Sequence, residues 1–390
     1  MKKPLLIIVI ILVVILILPA ISFLGWAFQT KKPLGIILVD KTVPTLEREK
    51  HKSFNWVLIN DRFVKKEKKS SYSFRKDYFG FVPTRPLKEK LWRQQDYRLK
   101  DILSDLSVNN DAVYFTDTYG VFFNDWYQGI NKSRKSRKLY GGMNSNDNVL
   151  IKTMKDSNKL VILEYNSFDY PTDEYTSYRI QEDRLGIKWT GWTGKYFSSL
   201  DTAAKGNENF PIWMTGMYRK QYKQPWTFKK AGIVILRDKA ILVLEEGTDL
   251  KNPMPVIVTD SAWQAKYKLP ESIPFDHWFD IIDPMSNNVV SKFRIETTAL
   301  GDSMLARYDG LSNEFPAVVQ EPSARRTYYF SGDFTNTDIP VWTSRLKGID
   351  KLKGILYSKK PDDTRRFFWI YYKPLIEGIF NDYYTTLSSK

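Results

Sequence analysis

The 390-residue chain contains no cysteine. Disulfides, thiolate nucleophiles and cysteine-ligated metals are thereby excluded. Histidine is nearly as scarce: His51 and His277 are the only two. A metal site built from several imidazoles is not expected, and no motif implies a cofactor. The sequence also lacks a GxSxG elbow, a phosphate-binding P-loop and a GxGxxG turn. A Ser-His-Asp triad would have to recruit one of the two histidines, and neither has a serine context that supports it. Internal repeats and low-complexity tracts are missing too.

What the chain has in quantity is apolar and aromatic surface, at 43% and 15% of residues, with 26% charged. That composition is globular rather than disordered. A formal net charge of +15 favours anionic surfaces by long-range attraction and says nothing about fold.

The longest uncharged run goes from Leu5 to Phe28, flanked by Lys2 and Lys3 before it and Lys31 and Lys32 after it. As a helix rising about 1.5 Å per residue it is long enough to cross a bilayer of roughly 30 Å. The sequence therefore predicts an N-terminal transmembrane signal anchor over 1–32. A single extracytoplasmic domain over 33–390 follows, subdivided, if at all, near 200–230. A cleaved signal peptide is the rival reading, with Pro19 as breaker and Ala20-x-Ser22 as the small-x-small site. Both readings put the bulk of the chain outside the cytoplasm, where nucleic acid is a poor partner; the anchor reading makes it a single-pass bacterial membrane protein.

Short branched apolar runs alternate with helical patterns in the first half of the chain. Strands are expected at Leu34 to Asp40, Asp111 to Asp117 and Leu160 to Leu163. The last is read as a central strand buried on both faces. Helices are expected at His51 to Phe63, at Leu99 to Leu106, after a Ser145 cap, and from a Thr172 cap to a stop at Gly186. Alternation of this kind argues for a mainly parallel sheet with helices on both faces. Beyond Trp192 the pattern changes. Two strands meet at a tight Asp238-Lys239 turn, and Val256 to Val258, Val289 to Thr297 and Tyr328 to Phe334 read as further strands. Leu375, Ile376, Ile379, Phe380 and Tyr383 form the stripe of a C-terminal helix expected to dock on the sheet, with an interfacial membrane helix as the lesser reading.

The acid-ended strand at Asp40, the Tyr140-Gly141-Gly142 turn, the helix after it and the Leu160 to Leu163 strand entering a sharp turn together resemble a class I glutamine amidotransferase-like domain. That family is a branch of the flavodoxin-like folds. The Tyr328 to Asp333 ending is similar to the closing strand of such domains in membrane-anchored bacterial proteins. The resemblance implies an α/β, flavodoxin-like architecture with additional C-terminal strands. The family's catalytic members carry a cysteine nucleophile in the elbow after the central strand. Here the elbow holds Glu164, Tyr165 and Asn166, and neither His51 nor His277 matches the family's histidine context. The implied protein is a pseudoenzyme that kept the scaffold.

Candidate chemistry rests on acids at strand ends: Asp40, Asp117, Glu164 and Asp333. A parallel sheet gathers its strand C-termini at one edge, where ligands bind. Two carboxylates there could hydrolyse a glycan, one as acid and one as nucleophile or base. Tyr119, Asn166, Trp189 and Trp192 are the candidate ligand contacts, with the indoles, in a loop-like stretch, stacking on sugar rings. The alternative is that the acids cap helices and the indoles pack against the sheet. The basic loop Lys132, Arg134, Lys135, Arg137 and Lys138 could meet anionic envelope polymer or lipid headgroups. The expected role is non-catalytic, binding or organising envelope material or a protein partner. The alternative is a carboxylate-dependent glycoside hydrolase.

Overall fold

The computed structural model describes residues 17–84, 87–127, 136–205, 207, 210–322, 326–361 and 363–389. Fourteen strands carry the architecture: β1 Ile36–Asp40, β2 Phe79–Pro83, β3 Trp92–Gln95, β4 Ala112–Asp117, β5 Leu160–Glu164, β6 Lys188–Phe197, β7 Gly232–Arg237, β8 Ala240–Glu245, β9 Val256–Thr259, β10 Ser272–Pro274, β11 Trp278–Asp283, β12 Asn288–Arg294, β13 Glu314–Gln320 and β14 Thr327–Phe330. Ten of them form one sheet in the order β10-β9-β12-β13-β14-β5-β4-β1-β2-β3.

Four adjacent pairings are parallel, joining β14, β5, β4, β1 and β2. Taken in chain order, these five strands lie second, first, third, fourth, fifth across the sheet. The other five pairings are antiparallel. The sheet is therefore mixed, where a mainly parallel one was expected. The cause is that β9, β10, β12 and β13, which lie between β5 and β14 in sequence, pair antiparallel beyond β14 and extend the same sheet instead of forming a separate one. A second, all-antiparallel sheet runs β8-β7-β6-β11, with the expected hairpin at Asp238.

The parallel strands are buried on both faces, which is why they read as unbroken apolar runs. Leu38, Tyr114 and Ile162 face one core with Phe54 of the helix Glu49–Asn60 and Leu375, Ile379 and Phe380 of the C-terminal helix Lys373–Ser388. Ile37, Val39, Val113, Phe115, Val161 and Leu163 face the other, with Leu150, Ile151 and Met154 of the helix Ser145–Asp156. The C-terminal helix docks as its stripe predicts. Gly80 shows how closely β1 and β2 approach: it has φ +140°, and a Cβ there would stand 1.7 Å from the Asp40 carbonyl oxygen.

Local corrections have local causes. Asn144, not Ser145, caps the helix Ser145–Asp156, because its side chain accepts from the backbone of Asn146 and Asp147 while Asp147 reaches back. Asp173, not Thr172, caps Glu174–Arg179; the Thr172 hydroxyl instead accepts from Met143 N at 2.9 Å. Tyr328 to Phe334 is strand only to Phe330, so Asp333 lies in the loop beyond β14. Of the expected stripe Leu99, Ile102, Leu103 and Leu106, only Ile102 and Leu106 are buried, the turn there being π-helical. The stretch holding Trp189 and Trp192 is no loop. It is β6, a ten-residue strand paired to β7 and β11, with a bulge between Trp189 and Thr193.

The apolar run from Leu5 lies outside the described residues as far as position 16. It is helical over Leu18–Ala27. Among the described residues no helix is long and apolar enough to cross a membrane. Lys132, Arg134 and Lys135 of the basic loop also lie outside the described residues; Arg137 stands over the Phe123 ring at 5.1 Å.

Candidate functional site

The C-terminal ends of the parallel strands bring together most of the acids the sequence nominates, with Lys50 and His51, which it does not. Lys50, in the first turn of the helix Glu49–Asn60, places its ammonium 2.5 Å from Asp333 Oδ2 and 3.4 Å from Asp117 Oδ2. The two carboxylates are therefore separated by no more than the sum of those distances. Asp117 and Asp333 are buried, and the Lys50 side chain retains 20% exposure. Asp117 Oδ1 also accepts from the Thr42 hydroxyl at 2.6 Å and from Tyr119 N at 2.9 Å. Asp333 Oδ2 accepts from Asn336 Nδ2 at 2.9 Å.

Sharing one ammonium splits the two acids. Burial pushes Asp117 up to about 6, against the opposing pull of Lys50. Burial would raise Asp333 as well, but Lys50 and His277 outweigh it and hold that carboxyl below its ordinary range. Lys50 itself is raised, because the attraction of Asp333 and Asp117 exceeds the opposing cost of burial.

Glu164 is locked rather than poised. Its Oε1 accepts from Thr335 N at 2.7 Å and from Thr335 Oγ1 at 3.1 Å, and its Oε2 bonds the Tyr114 hydroxyl at 2.7 Å. It is 1% exposed. Burial, reinforced by the nearby Asp333 charge, raises its pKa well above the carboxylate range. It ties the end of β5 to the loop after β14. Asn166, just beyond, adopts φ +69°, so the chain turns sharply where the central strand ends, and its carbonyl accepts from Thr118 Oγ1 at 2.8 Å.

Asp40 is paired with His51 at 2.5 Å through Nδ1. The other ring nitrogen lies 2.7 Å from the Phe74 carbonyl. That carbonyl can only accept, so Nε2 carries hydrogen, and Nδ1 and Asp40 share one proton. Both nitrogens are engaged and the ring is fully buried, which leaves His51 unable to act as base or ligand. Beside it, buried Lys41 bonds Asp147 Oδ2 at 2.5 Å and the Gly142 carbonyl at 2.9 Å. The Tyr97 hydroxyl donates to the other Asp147 oxygen. Among the described residues His277 Nε2 has no hydrogen-bond partner, and it lies 3.6 Å from Asp276 Oδ1. Burial lowers its pKa, so the ring is neutral at pH 7.

The expected indole contacts do not join this cluster. Trp192 is fully buried, donates to the Asp309 carbonyl at 3.0 Å and has the Arg237 guanidinium 4.3 Å from its ring. Trp189 donates to the Trp192 carbonyl at 3.2 Å and packs toward Phe168. Trp192 is thus enclosed, while Trp189 stays half-buried and turned toward Phe168. Tyr119 does remain exposed, against Phe122 at 4.9 Å. Among the described residues no group of three or more His, Asp or Glu could hold a metal ion. A depression of about 410 Å³ lies near the opposite sheet edge, lined by Lys152, Lys155, Asp156, Asn158, Asp183 and Arg184.

Asp280, in β11, is a buried acid that sequence reasoning missed. Its oxygens accept from the Tyr329 hydroxyl at 2.7 Å and the Thr193 hydroxyl at 2.9 Å. Burial pushes it up to about 7, above an unfolded aspartate near 4. The folded chain therefore holds this proton more tightly than the unfolded chain. The resulting stability is complete below about pH 4 and is lost as pH rises toward 7. Asp280→Asn keeps the shape and removes the titration. In thermal melts the variant should lose less stability than the parent between pH 5 and pH 8, and should melt higher at pH 8. Asp117 and Glu377, also raised, would leave part of the slope. Identical pH dependence in parent and variant would refute the assignment.

No protein-family model, no curated protein and no solved structure matches this chain.

Proposed function

We propose that this is a membrane-anchored, extracytoplasmic domain of glutamine amidotransferase-like, flavodoxin-like architecture. In this reading it has lost catalysis and serves to bind or organise envelope material or a protein partner. The second-first-third-fourth-fifth strand order supports the flavodoxin-like reading. The left-handed turn at Asn166 supports the amidotransferase-like one, being a sharp elbow after the central strand with no nucleophile in it. The anchor rests on the uncharged run from Leu5 to Phe28.

One observation carries the non-catalytic reading: the acids at the strand ends are already engaged from within. Lys50 stands between Asp117 and Asp333, His51 takes Asp40, and Thr335 with Tyr114 takes Glu164. The glycosidase reading draws on a single favourable feature, the close Asp117–Asp333 pair with proton affinities pushed apart. The ammonium between them fills the space that a scissile oxygen would need.

The test is turnover. The full chain in detergent, offered envelope glycans, should release no reducing ends above the level of an Asp117→Asn/Asp333→Asn double variant. Release that vanishes in the double variant would overturn the scaffold reading. Glu164→Gln should keep the Thr335 bonds and cost at most about 1 kcal/mol, measured by denaturant unfolding. A collapse of the fold would show that the carboxyl itself is needed.

A further inference from the structure

The N-terminal helix Leu18–Ala27 leans on the domain along one line only. The Ser22 hydroxyl donates to the Lys347 carbonyl at 2.9 Å, and Lys347 N donates to the Ser22 carbonyl at 3.2 Å. Gly25 faces the Lys347 side chain. Trp26 is buried, donates to the Ile59 carbonyl at 2.9 Å and carries Arg62 4.3 Å from its ring. Ser22, Gly25 and Trp26 are spaced three and four apart, so they share one face. Among the described residues nothing covers its remaining faces. Leu18, Ile21, Phe23 and Leu24 are all exposed. A helix apolar all round and docked on one side only needs an apolar medium on the others.

The segment it touches continues that surface. Residues 341–356 are held from behind by the helix Glu49–Asn60: Trp56 donates to Thr343 Oγ1 at 2.8 Å, and Asn60 to the Ser344 carbonyl at 2.9 Å. Held this way, the segment turns Trp342, Leu352 and Ile355 outward, at 68%, 52% and 85% exposure. Arg345, Lys347 and Lys351 are exposed among them, against one acid in the segment, Asp350. Exposed tryptophan and branched apolar side chains interspersed with lysine and arginine are the composition of an interfacial membrane element. The Ser22–Lys347 bonds fix that element beside the helix. The apolar positions from 5 to 22 that remain beyond this contact would, as a helix, reach about 27 Å, close to a hydrocarbon thickness.

We propose that the face formed by residues 341–356 lies on the surface of an anionic bilayer, with Trp342, Leu352 and Ile355 in the headgroup layer and Arg345, Lys347 and Lys351 on lipid phosphates. This rests on the anchor reading above. The domain is then clamped to the membrane in a fixed orientation. A protein partner on the same face is the competing outcome.

Because the chain has no cysteine, single cysteines give unique labels. Trp342→Cys, Ile355→Cys and the control Tyr175→Cys, an exposed position remote in sequence, would each carry a polarity-sensitive fluorophore in the full chain. The proteins would be reconstituted in phosphatidylcholine vesicles with and without phosphatidylglycerol. Labels at 342 and 355 should be at least about threefold less accessible to iodide than the label at 175 in anionic vesicles, as expected of side chains in the interface. Arg345→Glu/Lys347→Glu/Lys351→Glu should abolish that protection. Labels at 342 and 355 quenched as readily as at 175, in protein that stays with the vesicles, would overturn the proposal and leave the face to a protein partner. Carbonate extraction reads the anchor separately: release of the chain overturns the anchor reading, whatever the labels report.

Discussion

Lys50→Met should destabilise the protein by about 3 kcal/mol at pH 7. The substitution keeps the length and apolar stem of the side chain and removes only its charge. Asp117 and Asp333 then face each other across a buried gap with no cation between them. Asp333 gains its low pKa from Lys50 before any other attractive partner, and Asp117 is restrained from rising further by the same ammonium. Without it, at least one carboxyl must take up a proton on folding, so the loss should be greater at pH 8 and smaller at pH 5. The sign follows from linkage: an acid whose folded pKa is raised costs stability as pH climbs through that pKa.

A double variant separates this from packing damage. Lys50→Met/Asp333→Asn removes the ammonium together with the acid closest to it, and should recover most of the loss; the single and double changes form a cycle whose interaction energy is the pairing itself. Urea midpoints for the four proteins supply the measurement. A single Lys50→Met variant as stable as the parent at both pH values would mean that Asp117 and Asp333 do not depend on the ammonium. Both would then be available for other chemistry, and the non-catalytic reading would lose its main support.

How much of this cluster the sequence reveals depends on where each charge sits. Asp40 and Asp117 end apolar runs, and Glu164 directly follows one, so strand logic finds them. Asp333 is found too, although its strand closes at Phe330, because the loop carries it back to the same edge. Lys50 and His51 carry no such mark. They open a helix whose apolar pattern begins only afterwards, and their partners lie up to 283 residues away. One signal was present: a lysine in the first turn of a helix runs against the helix dipole, which hints that something acidic holds it there. Lys41 with Asp147 is hidden for the same reason, since an ion pair between distant segments leaves no local periodicity.

β6 was illegible in a different way. Its glycines and threonine-flanked indoles look like a loop, yet a Cβ at Gly194 would stand 2.4 Å from the Phe279 ring. The glycine makes room for an aromatic from β11, a strand about ninety positions away. A glycine that weakens a strand when read alone becomes a packing device once its partner is known.

The central strand is where sequence and fold agree most closely, and it supports the sharpest test. Leu163 lies opposite Phe115 of β4 and Tyr329 of β14, fully buried, among Leu150, Ile151 and Met154. Leu163→Ala should cost about 3 kcal/mol by lost burial and the cavity left behind. Leu163→Asp puts a carboxylate into this apolar core, and should cost about 5 kcal/mol or more. That is comparable to the whole stability of an ordinary domain, so the variant should be largely unfolded at 25 °C. Ile162 points to the opposite core, with Tyr114 and Phe330. Ile162→Asp should therefore be as damaging as Leu163→Asp. A strand with one wet face would give alternation, severe at one position and mild at the next. Equal loss of the native unfolding transition at both positions is the signature of a strand covered on both faces; an unchanged melting temperature at either one would remove β5 from the centre of the sheet.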